Sequence, residues 1–251
     1  METKNLKTIP KISVRIWRPL IAKLDEKIEA ACLKRDAYLR RVLERELEYL
    51  DEEVSIPNSQ ASYDYIFGQL DAFDRKLVSL SLPPQISDRL NEICARKRIV
   101  RDAFFNRLYL LLAGSSSMID RLLFADLDHD WRVDVWTECR NDGPFFQNVF
   151  SPLDPDIDPF WPLRSGLQIN YDLNSPEGYV EPTTGETIKI NRDLLGNPQP
   201  QESLYTLPLR GRLKDGCDLV GFSCYLPDSS IPGHVAEVAS RAKLEELLAG
   251  L

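Results

Sequence analysis

The chain has 251 residues, of which 43% are hydrophobic and 28% charged, the balance of a soluble globular protein of one large or two ordinary domains. No apolar run reaches the length of a membrane span, and the polar start METKNLKTIP lacks the apolar core of a secretory signal, so a cytoplasmic protein without a membrane anchor is expected. The net charge of −8 is unevenly spread: residues 1–49 carry +4, residues 50–74 carry −6, residues 75–113 carry +5 and residues 114–251 carry −11. Two basic segments are thus joined to an acidic remainder, and a phosphate backbone responds to local potential rather than to the total.

In chain order, Lys11 to Ile16 alternates polar and apolar residues, the pattern of a strand with one buried face. Pro19 follows and suits a first helical turn. Leu20, Leu24 and Ile28 then share one helical face. A second helix is expected to start with Asp36 as N-cap and to continue through Leu39, Val42, Leu43 and Leu47. Residues 50–74 contain six acids and no base, with Tyr65, Ile66, Leu70 and Phe73 at the spacing of a short helix that packs back on its neighbours.

The same pattern then returns. A shift of 66 residues places Ile12, Val14 and Ile16 on Val78, Leu80 and Leu82, and Leu20, Leu24 and Ile28 on Ile86, Leu90 and Cys94. Arg35, Asp36 and Ala37 fall on the identical Arg101, Asp102 and Ala103, and Arg41 on Arg107. Pro83 and Pro84 open the copied first helix, Asp102 is the expected cap of the second, and Gly114 is its stop signal. A strand and two helices in about 40 residues cannot bury their own apolar faces, and a lone strand leaves its ladder groups unpaired. Each unit must therefore pair with another, ribbon to ribbon. The length of the intervening segment permits pairing within one chain or between two.

Both copies resemble the ribbon-helix-helix family typified by the Arc, MetJ and CopG repressors. The resemblance implies an α+β protein with two ribbon-helix-helix units, at 9–49 and 75–114, joined by an acidic linker at 50–74 and followed by a mixed α+β domain at 118–251. It implies double-stranded DNA as the partner, entered through the major groove by a two-stranded ribbon. Carried onto this chain, the base-contacting positions are Lys11, Ser13 and Arg15 in the first copy and Leu77, Ser79 and Ser81 in the second, so the halves should not read identical sequences. Phosphate contacts are implied at the start of each second helix, reinforced by Lys34 and Arg35 and by Arg98 and Arg101. Two departures stand out. The turn between the helices has Cys32 and Arg98 where the family usually has glycine, which predicts a rebuilt turn. Asp36 and Asp102 replace a frequent serine and set a negative charge beside the implied phosphate.

Beyond residue 118 the composition changes, with twelve of the 17 prolines between Pro144 and Pro232. Strand-like runs occur at 131–139, 166–171, 187–190, 204–209 and 219–226, and a closing helix follows Pro232, with Val235, Val238, Ala239 and Ala242 among its apolar positions. The five scattered cysteines, with no CxxC pair, read as buried reduced thiols rather than as a disulfide framework or zinc site. Asp154, Asp156 and Asp158 lack the rest of a calcium loop, and Asp126, Asp128, His129 and Asp130 read as a polar loop rather than a metal site. No nucleophile motif or phosphate-binding glycine loop occurs, so neither catalysis, metal nor cofactor is expected. The sequence thus predicts a homo-oligomeric DNA-binding regulator, a repressor, whose C-terminal domain serves oligomerisation, a protein partner or a ligand. The alternatives are a plasmid or phage DNA-processing accessory protein, which duplicated units of this kind resemble, and an antitoxin-like partner-binding protein.

Overall fold

The computed structural model describes residues 11–114, 116–123, 160, 163–164, 167, 179–180, 187–188, 191–192, 194–209, 211 and 217–249. These form an α+β chain in the order β1 (Lys11–Trp17), α1 (Arg18–Ala30), α2 (Arg35–Glu53), α3 (Gln60–Leu70), β2 (Arg75–Ser81), α4 (Pro84–Lys97), α5 (Arg101–Ala113) and α6 (Ser116–Leu123). Short ladders β3 (Tyr179–Val180) with β4 (Thr187–Ile188) and β5 (Asn191–Arg192) with β6 (Pro198–Gln199) follow. The 3-10 turns Leu219–Phe222 and Asp228–Ser230 then lead to α7 (His234–Ala249). No described helix is long and apolar enough to cross a membrane.

β1 and β2 pair antiparallel within the one chain, which settles the question of pairing left open by linker length. Ser13 lies opposite Ser79, its own counterpart under the 66-residue shift, and the flanking pairs Lys11 with Ser81 and Arg15 with Leu77 exchange roles about it. The repeat is therefore arranged about a pseudo-twofold axis through the Ser13–Ser79 pair. Ile12, Val14, Ile16, Val78 and Leu80 face the core, and the alternate residues face solvent, as a period of two requires. The helices interlock: α1 packs on α5, α2 on α4, and α5 also on β1. Each unit thus covers the apolar face that the other exposes.

Several expectations need correction. Asp36 and Asp102 are not N-caps; the caps are Lys34 and Val100, neither of which caps through its side chain. The two aspartates sit two residues further on, within the first turn, and their carboxylates are drawn to the opposite unit, as described below. The interhelical turns are not rebuilt either. Cys32, at φ 56°, and Arg98, at φ 49°, keep the left-handed conformation without glycine. They are repeat counterparts, so both units use the same strained turn. The turn is held by backbone bonds: Cys32 and Leu33 donate to Glu29 and Ile28, and Arg98 and Ile99 donate to Ala95 and Cys94. Cys94, Cys217 and Cys224 are buried thiols outside any disulfide, Cys217 donating to the Ala72 carbonyl, whereas Cys32 is exposed.

The segments 204–209 and 219–226 are not strands. Residues 204–206 turn sharply, with Ser203 N–H donating to Thr206 Oγ1 at 2.8 Å and the Thr206 hydroxyl donating to the Gln201 carbonyl at 2.6 Å. At Leu219–Phe222, Asp218 accepts the Val220 N–H, and a side chain on Gly221 would stand 3.2 Å from the backbone of Gln69. The chain closes on α3 there, and a side chain at Gly221 would require the α3 backbone to give by a few tenths of an ångström. The predicted runs at 131–139 and 168–171, Cys139, and the acidic groups at 126–130 and 154–158 lie outside the described residues.

The described C-terminal residues share one core with the repeats. Phe222 lies 4.6 Å from Phe73 between ring centroids, and Phe73 meets the Trp17 ring edge-on at 5.8 Å. In the linker, Ile66, Leu70 and Phe73 are buried as their spacing predicts, while Tyr65 is half-buried. α7 keeps Val238, Ala239 and Ala242 on exposed surface, so its first turns do not bury the apolar positions read from the sequence.

A candidate nucleic-acid interface

The expected base-contacting positions stand together on one surface. Lys11, Ser13, Arg15, Leu77 and Ser79 are exposed and Ser81 half-exposed, all on the outer face of the ribbon. The two strands are joined by their ladder, and the face behind them is fully packed, so the outer side chains are displayed from a rigid base. Leu77 is 59% exposed, an apolar side chain held in water directly opposite Arg15.

The ribbon is fixed from its edges by side chains that reach across the repeat. The N–H of Arg15 donates to Asp102 Oδ1 at 3.2 Å, and the N–H of Ser81 to Asp36 Oδ2 at 3.0 Å. Arg15 and Ser81 are counterparts, as are Asp102 and Asp36, so the two contacts are the same contact made twice. The edge of β1 is closed further by α5. Asn106 donates to the Arg15 carbonyl and accepts the Trp17 N–H, both at 2.9 Å, and Arg101 Nη2 donates to the Ser13 carbonyl at 3.1 Å. Edge groups of a strand are a liability when unpaired, and here side chains of a helix satisfy them. Sequence reasoning missed Asn106. The signal available was a lone amide in the apolar run of α5, at the position that Arg40 fills in the first copy.

The starts of α2 and α5 therefore flank the ribbon, one along each strand. Of the implied phosphate contacts, Lys34 is exposed at the α2 start. Arg35 lies 3.8 Å from Asp25 and 3.5 Å from Asp36. Arg101 is shared between Ser13 and Asn91, the counterpart of Asp25. Arg98 Nη1 donates to the Asn58 carbonyl at 3.1 Å. Buried Asn58 in turn donates to the carbonyls of Arg98 and Cys224 and accepts the Leu226 N–H, tying that turn to the C-terminal segment.

Much of the remaining positive charge is neutralised away from the ribbon face. Asp51 holds Arg96 at 2.7 Å, Arg89 at 3.1 Å and Lys97 at 3.6 Å, and Arg18 pairs with Asp74 at 3.0 Å. Arg75 pairs with Asp71 at 2.7 Å. The acidic linker thus answers the basic units rather than standing apart from them. Among the described residues, Lys11, Arg15, Lys34 and Lys76 are the exposed cations left on or beside the ribbon.

A second polar cluster joins the C-terminal segment to the repeats. Arg164 pairs with Glu46 at 2.7 Å and Glu53 at 2.9 Å, lies over the Tyr49 ring, and shares Glu46 with the Tyr205 hydroxyl. Burial raises the Tyr205 phenol, and Glu46 beside it raises it further, so it stays protonated as the donor. Arg107 is fully buried and donates to the Leu204 and Leu207 carbonyls. Burial pushes the Cys94 and Cys224 thiols up to about 12, away from nucleophilic chemistry. Among the described residues, no group of three or more His, Cys, Asp or Glu is placed to hold a metal ion.

No family model, curated protein or solved structure matches this chain.

Proposed function

We propose that the chain is a sequence-specific double-stranded DNA-binding protein of the ribbon-helix-helix kind, acting as a transcriptional repressor. The observation that carries this reading is the outer face of the ribbon, where Lys11, Ser13, Arg15, Leu77, Ser79 and Ser81 are gathered on a twofold-like platform with a packed back. A two-stranded ribbon fits the width of the major groove, and these side chains match what base edges offer. Arginine or lysine donates to guanine O6 and N7, serine donates or accepts, and leucine meets a thymine methyl. The starts of α2 and α5, lying along either strand, suit the flanking phosphates, with Lys34 as the cation free to meet them. Arg35, Arg98 and Arg101 contribute there by sharing their present partners.

The test is a competition gel shift between a selected duplex and random duplex, repeated across salt concentrations. Binding should weaken steeply with salt, and Arg15→Ala should relax the preference for the selected duplex. Equal affinity for both duplexes sinks the reading.

A further inference from the structure

The strand register redistributes the two exposed cations of the ribbon's outer face, Lys11 and Arg15, in a way that the repeat alone conceals. Along the sequence the first copy holds both, Lys11 and Arg15, and the second copy holds neither. Across the ladder, however, Lys11 stands opposite Ser81, and Arg15 stands opposite Leu77. The pseudo-twofold axis passes between these pairs, through Ser13 and Ser79. Each end of the ribbon's outer face therefore displays one exposed cation, and each has a different neighbour across the ladder.

Given the DNA-binding reading above, we infer that one chain by itself reads a single non-palindromic site whose two halves are specified by different pairs, Arg15 with Leu77 at one end and Lys11 with Ser81 at the other. Side chains directly opposite in an antiparallel pair stand about 5 Å apart, so each pair addresses one base step. At the first end the planar guanidinium of Arg15 takes guanine bidentately, while the exposed Leu77 beside it meets only an apolar group, the methyl of a neighbouring thymine. Leu77 is 59% exposed, so its side chain is open to such a methyl. At the second end Lys11 is a flexible point charge and Ser81 donates or accepts, so acceptor-rich steps are tolerated more broadly. The centre, with two small hydroxyls, is permissive. Four residue steps lead from Lys11 to Arg15, which is about 13 Å of strand, so the specified steps fall about four base pairs apart.

The asymmetry extends beyond the ribbon face. The β1 edge is closed by Arg101, Asp102 and Asn106, whereas at the Asn106 position the first copy has Arg40, which is exposed and lies 3.7 Å from Glu44. The platform itself is thus built to hold one orientation on the duplex.

Selection from a randomised duplex pool with the full chain, followed by competition with every single-base variant of the selected site, tests this. A motif without inverted symmetry is expected. Arg15→Ala should flatten one half, by about tenfold or more at its key position, and leave the other. Lys11→Ala should flatten the other half. Replacing Leu77→Lys together with Ser81→Arg makes the ends alike and should move the preference towards a palindrome. A palindromic motif for the unaltered chain, or flattening of the same half by both alanine variants, overturns the inference while leaving base reading intact. Selection of no motif at all overturns base reading and this inference together.

Discussion

The Asp102 carboxylate accepts the backbone N–H of Arg15 at 3.2 Å, so a helix of the second unit holds the strand of the first. Asp36 returns the contact at Ser81. Asp102 also lies 3.5 Å from Arg75, and Asp36 lies 3.5 Å from Arg35. Removing one carboxylate leaves a strand N–H to water and loosens one edge of the ribbon. Asp102→Ala and Asp36→Ala should each cost about 1 kcal/mol of folding stability. The double variant should lose about the sum, since the two sites share no partner. Urea denaturation measures this, and a double variant as stable as the parent would show that these contacts do not hold the ribbon.

Cys32 and Arg98 occupy the left-handed region at repeat-equivalent turns. An L-residue there is strained by about 1 kcal/mol, which glycine relieves. Cys32→Gly should therefore raise stability by somewhat under 1 kcal/mol, since glycine also loses more freedom on folding. Arg98→Gly should gain nothing, because it also removes the Nη1 bond to Asn58. Thermal melts of the two variants should diverge, and a Cys32→Gly melt below the parent's would count against strain at that turn.

What could be read in advance follows from how local each signal is. Ile12, Val14 and Ile16, then Leu20, Leu24 and Ile28, bury one face each, so periodicity alone displays them. The 66-residue shift carried the same faces into the second unit. An aspartate at a helix start looks alike whether its carboxylate turns to its own helix or to a strand 87 residues away, so the role of Asp102 was hidden. Asn106 was hidden because it has no polar counterpart of the same kind in the first copy. The apolar runs at 204–209 and 219–226 resembled strands, but Gly221 against α3 and the Asp218 cap are decided by packing rather than by local pattern.

Arg41 and Arg107 are the same residue at equivalent positions in opposite surroundings. Arg41 is exposed and lies 3.3 Å from Glu44, a pair of the kind that contributes little. Arg107 is buried beneath residues 204–207, which cover the second unit there. Burial lowers its tendency to hold the proton, yet the carbonyls of Leu204 and Leu207 need its donors. Arg41→Ala should change stability by less than about 0.5 kcal/mol. Arg107→Ala should cost about 3 kcal/mol or more, since it empties a large site and strands two buried carbonyls. Chemical denaturation of the pair checks this, and similar losses from both would mean that the C-terminal segment does not cover α5.

Asp51 links α2 to α4 through Arg89, Arg96 and Lys97. Burial alone pushes its carboxyl up, but the hydrogen bond from Arg96 and the charges of all three cations outweigh that and hold it below the ordinary carboxylate value. With the folded value lower than the unfolded one of about 3.9, the unfolded chain binds the proton more readily. The stabilisation is therefore fully present above about pH 4 and is lost as pH falls through the folded value. Asp51→Asn should lower stability near neutrality by about 1 kcal/mol, because Arg89 and Arg96 are about half-exposed even though Lys97 is buried. The variant should also lose less stability than the parent between pH 5 and pH 2. Parallel curves of stability against pH for the two proteins would show that Asp51 is not held in its charged form by this cluster.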